Sequence, residues 1–136
     1  IHNARITTKD SFWECENITV YDSVLDGEYL AWHSCNVRLV NCHLNGEQLL
    51  CYCNNLVLEN CTIDKSCDRM FEYSTVDADI DGKIDSVMNP AGGIIRADRI
   101  DELILEKDKV DPKATKIICR KKPESKCPIK LCRQAV

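Results

Sequence analysis

Apolar and polar residues alternate along the chain, and the alternation recurs at a fixed interval. Residues 17–25, 36–44 and 55–63 superpose when they are shifted by 19 residues. Each segment begins with asparagine and has apolar residues at its second and fourth positions, a period of two that is typical of strands. A fourth copy follows a one-residue insertion and includes residues 70–78. The sequence is therefore organised as a repeat of short strands.

A repeat of about 20 residues has room for short strands and turns but not for a helix, so it predicts a solenoid with one coil per repeat. Because parallel crossovers are usually right-handed, the expected fold is all-β: a single-stranded right-handed parallel β-helix with coils of about 19–20 residues. Equivalent residues then stack at the strand spacing of about 4.8 Å. The alternative is a leucine-rich repeat, because residues 56–63 fit part of that consensus.

The repeated asparagines fit such a stack. Asn17, Asn36 and Asn55 recur where the chain must turn between strands. Asparagine tolerates left-handed backbone geometry, and stacked amides can bond one another along the axis. A second set of this kind is made by Asn3, Asp22, Asn41 and Asn60. Both sets are predicted to be structural ladders and not ligand sites.

The chain has 136 residues, which is the size of one domain, and its ten cysteines at first suggest a secreted disulfide scaffold. The repeat favours another interpretation, because Cys42 and Cys61 share a column with Ser23, and Cys15 and Cys53 share one with Ser34. Cysteine that alternates with serine is typical of a small buried residue, so free structural thiols are predicted here. Disulfides between neighbouring coils remain an alternative.

Metal binding by cysteines is a further alternative in two places. Cys51 and Cys53, with Cys61 or Cys67, have a spacing that departs from the usual zinc pattern. Three later cysteines have no repeat to explain them and are either unpaired tail thiols or a candidate redox or zinc site: Cys119, Cys127 and Cys132.

The net charge of −4 excludes a protein that is basic overall and binds nucleic acid through that charge. The sequence has no run of 18 apolar residues, so it predicts no membrane span. Residues 120–136 hold six basic residues and one acidic residue, which suggests a basic tail or cap after coils at 1–119. The N-terminus has no signal peptide, which predicts a cytoplasmic protein. It also lacks an initiator methionine, so the sequence is expected to be a processed chain or a fragment.

Two sets of polar residues are candidates for chemistry. Asp77, Asp79 and Asp81 alternate with apolar residues, so their carboxylates should lie on one strand face about 7 Å apart. That spacing suits an acid and base pair, or calcium, but a solvated strand face gives the same pattern.

The second set is a column that comprises His33 with Glu14, Tyr52 and Glu72 at equivalent positions. It suits a sugar-binding or metal-binding stripe, and a plain surface ladder is the alternative. The sequence contains no serine triad, P-loop, GxGxxG or HExxH motif, and it predicts no cofactor.

Several longer segments resemble one bacterial family. They are Gly27-Glu28-Tyr29-Leu30 with Trp32, residues 50–58, residues 71–76 leading to 82–87, and residues 97–117 with Glu106-Lys107-Asp108-Lys109-Val110-Asp111-Pro112. This is the domain-of-unknown-function 3737 family, described as right-handed parallel β-helix proteins, and the resemblance covers about residues 1–119. Its members are longer, which implies that this chain is a C-terminal half. The family has no established activity or catalytic residues to transfer.

A regular repeat that contains no recognisable set of catalytic residues predicts a structural or binding module without catalysis, whose partner is a carbohydrate or a protein. The alternative is a carbohydrate-active enzyme of the polysaccharide lyase or glycoside hydrolase type that uses the surface carboxylates, an idea that rests on analogy of fold. The chain begins in the middle of a repeat, so its first coil should be open, and this predicts end-to-end homo-oligomers.

Overall fold

The computed structural model describes residues 1–64 and 67–121, and within these residues the fold is all-β with no helix. Its strands follow one another in chain order as β1 (Arg5–Thr7), β2 (Glu16–Tyr21), β3 (Val24–Asp26), β4 (Cys35–Val40), β5 (His43–Asn45), β6 (Asn54–Ile63), β7 (Thr75–Ile80), β8 (Lys83–Met88), β9 (Gly92–Ala97), β10 (Arg99–Ile104) and β11 (Thr115–Cys119).

The strands pair in parallel with their equivalents in the neighbouring coils. One stack has the order β2, β4, β6, β7, β9 and β11, a second has β1, β3, β5 and the end of β6, and β8 pairs with β10. Glu16 is opposite Cys35, and Cys35 is opposite Asn54, so the register is the 19-residue repeat. The parallel solenoid of about six turns is confirmed. The leucine-rich repeat is wrong, because its connecting helices are missing from the part of the chain that the structure describes.

A third side of each coil has an unusual backbone. Along 29–33 and its equivalents in other coils, every second residue has a positive φ although none is glycine, for example Tyr29 (60°), Ala31 (59°) and His33 (61°). Such residues cost about 1–2 kcal/mol each in isolation. Bonds between coils offset this cost, since the Ala31 amide donates to the preceding coil (2.8 Å) and the Tyr29 amide to the following coil (3.1 Å).

Stacked aliphatic side chains fill the interior. The alternating positions predicted to be apolar and inward are buried in consecutive coils, as in Val37, Leu39, Leu56 and Leu58. Phe71 is among the largest fully buried side chains and extends the core beyond the regular repeats. A continuous core that crosses coil boundaries is what holds a solenoid together, because each coil contacts only its neighbours.

The cysteine columns satisfy backbone carbonyls at the corners of the solenoid. Ser23, Cys42 and Cys61 each donate a hydrogen bond to the carbonyl two residues earlier, at 2.8, 3.4 and 3.6 Å. Buried carbonyls need such partners, and serine and cysteine are the small residues that supply them. The cysteines at 15, 35, 42, 51, 53, 61 and 67 are free thiols, as the repeat predicted.

The tail prediction falls mostly on residues 122–136. Cys127, Cys132 and most of the basic residues there lie outside the described residues, whereas Cys119 at the end of β11 is disulfide-bonded. The redox or zinc site predicted for the three late cysteines therefore stays a prediction.

Candidate functional site

Two amide ladders run along the corners of the solenoid, as the repeat predicted. Asn36 Nδ2 donates to Asn17 Oδ1 at 2.9 Å, and Asn55 Nδ2 donates to Asn36 Oδ1 at 2.7 Å. The second ladder joins Asn60 to Asn41 (2.8 Å) and Asn41 to Asp22 (3.1 Å). All these residues have a positive φ of 52–65°, which asparagine and aspartate tolerate better than most residues. The side chains of the ladders hydrogen-bond to one another, so the ladders have a structural role.

Five aromatic rings form a column on the side with the alternating backbone. This aromatic column comprises Trp13, Trp32, His33, Tyr52 and Tyr73. Trp13 and Trp32 are 5.5 Å apart between ring centroids, and His33 and Tyr52 are 4.7 Å apart, each pair inclined by less than 20°. Trp32 links the two stacks, because its centroid is 5.0 Å from that of Tyr52.

The column presents ring surface to solvent. Centroid distances of 5.0–5.7 Å belong to offset or tilted pairs, in which neighbours cover only part of each ring. Trp13 is 40% exposed, and Trp32, Tyr52 and Tyr73 are half-buried. The indole Nε1 of Trp32 donates to the Gln48 carbonyl at 2.6 Å, which fixes that ring. A fixed and partly uncovered aromatic surface is suited to stacking against a flat ligand.

The prediction for Glu72 needs correction. The sequence alignment placed it in the column of His33, but the Tyr52 amide donates to the Glu72 carbonyl just as the His33 amide donates to Cys51. Glu72 thus occupies the position of Cys51, and Tyr73 takes the place beside Tyr52. The physical reason is that the segment around Glu72 is offset by 21 residues from the preceding coil, although β7 of the same coil pairs with β6 at the predicted offset of 20.

Glu72 nevertheless borders the aromatic column. Burial raises the pKa of its carboxyl above the ordinary value, and nearby Arg69 and Lys109 partly oppose this. Burial also raises the pKa of the Tyr52 hydroxyl, with a further contribution from the charge of Glu72. His33, the other predicted residue, is exposed within the column and stacks on Tyr52. The predicted mixed polar stripe is therefore an aromatic surface with carboxylates at its border.

The predicted carboxylate row is divided between different environments. Asp77 pairs with Arg96 at 3.0 Å, and Asp79 pairs with Arg120 at 2.5 Å. Arg120 also donates to the carbonyl of Ile80. Asp81 lies beyond the strand, at the corner that ends β7. In this arrangement, two of the three carboxylates serve as anchors for arginines.

A shallow groove of about 430 Å³ lies along the corner of the second amide ladder. Its walls include Asp22, Asn41, Cys42, His43 and Asp81. The Nδ1 atom of His43 is hydrogen-bonded to Thr62 Oγ1 at 2.7 Å. The sequence did not predict this groove, because no residues that could act together with His43 are recognisable along the chain. The 19-residue offset from His43 to Thr62 was the available signal.

Within residues 1–64 and 67–121, no group of three or more His, Cys, Asp or Glu side chains could hold a metal ion. The same residues include no helix that is long and apolar enough to cross a membrane. The groove and the aromatic column are two concentrations of candidate binding groups among these residues.

The fold and these surfaces define a parallel β-solenoid with an exposed aromatic column and free buried thiols. A family model described as a protein of unknown function (DUF3737) matches residues 1–118, and the chain belongs to this family. No curated protein and no solved structure matches the chain significantly.

Proposed function

We propose that this protein is a non-catalytic binding module whose aromatic column holds a carbohydrate chain. The observation that carries the proposal is the column itself: five rings at intervals of 4.7–5.7 Å along the solenoid, with Trp13 40% exposed. Sugar rings have apolar faces of C–H groups that stack on aromatic rings. A column with regular intervals suits a linear, repeating ligand.

Polar groups at the border of the column support the same proposal. Glu14 is exposed in the coil of Trp13, and Glu72 borders Tyr52. Carboxylates accept hydrogen bonds from sugar hydroxyls, and a few such groups next to an apolar surface are typical of ligand sites.

The charge of the solenoid narrows the choice of glycan. Residues 1–119 have 12 basic and 21 acidic residues, so their net charge is strongly negative. Glycans that contain uronic acids or sulfate groups would be repelled, particularly at low ionic strength. We therefore propose a neutral polysaccharide as the ligand. A protein is the other partner that the sequence suggests.

The carbohydrate-active enzyme of the alternative hypothesis has weaker support. Its acid and base would be drawn from Asp77, Asp79 and Asp81, with His33 and Glu72 as the other candidates. Asp77 and Asp79 are each ion-paired with an arginine, so their carboxylates are already engaged within the protein.

The experiment is a screen of neutral polysaccharides, followed by calorimetric titration with the best ligand. Replacing Trp13 or Tyr52 by alanine should weaken binding about ten-fold each, equivalent to about 1.4 kcal/mol. Tyr21→Ala is the matched control, because this tyrosine stacks on His2 at 4.6 Å and lies outside the column. Failure of the native protein to bind any neutral glycan would refute the proposal, as would an equal loss in the Tyr21 variant.

A further inference from the structure

Two thiols occupy equivalent places in consecutive coils, at the corner where the groove lies. The amide that follows Cys61 donates to the Cys42 carbonyl at 3.0 Å, so the two backbones are directly paired. Paired strands lie about 4.8 Å apart, within the Cα separation of about 4.4–6.8 Å that a disulfide spans. Both side chains are buried at this corner, and each thiol donates to the carbonyl two residues earlier, at 3.4 Å for Cys42 and 3.6 Å for Cys61.

We propose that Cys42 and Cys61 form an oxidation site, at which a small peroxide converts the two thiols into a disulfide. The site is separate from the aromatic column and does not depend on the proposed function. Cys42 is the attacking thiol, and Cys61 is the resolving thiol.

The environment of Cys42 differs from that of the other buried thiols. The neighbouring Cys61 side chain lowers the pKa of Cys42 to about 7, against an opposing effect of burial. Burial raises the pKa of Cys51 to about 12 and that of Cys53 to about 11. Because the thiolate is the nucleophile, Cys42 should react at neutral pH while Cys51 and Cys53 stay inert. A low pKa beside a second cysteine is typical of oxidation-sensitive pairs.

The groove provides access. Cys42 is 2% exposed, yet it lines the cavity of about 430 Å³ together with the polar residues of the corner. The cavity is wide enough for a molecule as small as hydrogen peroxide, and its walls offer hydroxyl, amide and carboxylate groups to bind it. Cys61, which is fully buried, needs no access because its reaction partner is Cys42.

The chemistry balances with peroxide as the oxidant. The Cys42 thiolate attacks one peroxide oxygen, an S–O bond forms, the O–O bond breaks, and hydroxide leaves to be protonated to water. The Cys61 sulfur then attacks the sulfenic acid, an S–S bond forms, and the S–O oxygen leaves as water with the Cys61 proton. The two sulfurs lose two electrons in total, and the peroxide gains them.

The geometry also indicates that the disulfide would be reducible. In paired parallel strands, equivalent side chains point the same way, so their Cβ atoms stay about 4.8 Å apart. A disulfide prefers about 3.5–4.5 Å, and the coils must move together slightly to form it. Strained bonds of this kind are the ones that ordinary thiols reduce.

The test treats the reduced protein with hydrogen peroxide at neutral pH and maps disulfides by peptide mass spectrometry without reduction. We expect a peptide pair that joins Cys42 to Cys61, and its loss after dithiothreitol. In Cys61→Ser, the sulfenic acid at Cys42 should persist and be trapped by dimedone. This variant should fold, because Ser23 fills the same column with the same carbonyl bond (2.8 Å).

Cys53→Ser is the matched control, since this buried thiol also lies in a column with serine, but its side chain donates to the Ala31 carbonyl and is remote from the groove. Formation of the disulfide should be unchanged in it. Two results would overturn the proposal: a peroxide-treated protein without the joined peptide, or equal dimedone labelling of Cys42 in the native chain and the Cys61→Ser variant.

Discussion

In the amide ladder, we expect glycine to be a more stable replacement for Asn36 than alanine, which reverses their usual order of stability within a strand. Asn36 has a φ of 59° and is bonded to Asn17 at 2.9 Å and to Asn55 at 2.7 Å. Both Asn36→Ala and Asn36→Gly remove the two hydrogen bonds. Alanine in addition places a Cβ in the left-handed region, which glycine occupies without strain.

The magnitudes follow from these differences. Two exposed side-chain hydrogen bonds are worth about 0.5 kcal/mol each at the lower end of the usual range, so both variants lose about 1 kcal/mol. The left-handed backbone adds about 1–2 kcal/mol for alanine, whereas the flexibility of unfolded glycine costs about 0.5–1 kcal/mol. Glycine should therefore be the more stable replacement at this position, by about 0.5–1 kcal/mol.

Equilibrium unfolding in urea, followed by circular dichroism, measures the two free energies. Asn54 provides the control, because it is an exposed neighbour in β6 with an ordinary strand backbone. There alanine should be the more stable replacement by about 0.5–1 kcal/mol. If alanine also proves to be at least as stable as glycine at position 36, then the positive φ does not carry the energy assigned to it.

Three further predictions concern the backbone, a thiol and the core. Gly93→Ala should prevent folding or destabilise the protein strongly, because the added Cβ would lie 1.8 Å from a backbone oxygen. Gly82 has the same φ of 103° but faces open space, so Gly82→Ala should cost only about 1–2 kcal/mol. Thermal unfolding of the two variants compares these effects. The rate at which iodoacetamide alkylates Cys42 should rise as the pH passes through about 7 and then level off, whereas Cys53 should stay unreactive until about pH 11. Peptide mass spectrometry at each pH measures the extent of alkylation of both cysteines. Leu44→Ala, at a fully buried site, should lose about 2–5 kcal/mol in urea unfolding, and a loss below 1 kcal/mol would contradict the continuous core.

The candidate surfaces were predicted less completely than the fold. His33 and Tyr52 were identified because they repeat at the coil interval, and they do lie together in the aromatic column. Glu72 was misplaced, because the size of an insertion is not visible from the repeat itself. Asp79 was predicted to be a candidate for acid–base chemistry or calcium binding, but it is ion-paired with Arg120, which is 41 residues away along the chain. Pairings at such distances depend on how coils of unequal length stack.

By itself, the sequence determined the coil and its interval. Alternating apolar residues and asparagines such as Asn36 act within one segment, and every coil repeats the same local preference for strand or turn. The tertiary structure decided what the coils bring together: the tilt of the rings around Trp32 and the groove beside His43. Those features depend on distances between side chains of different coils, which no local preference specifies.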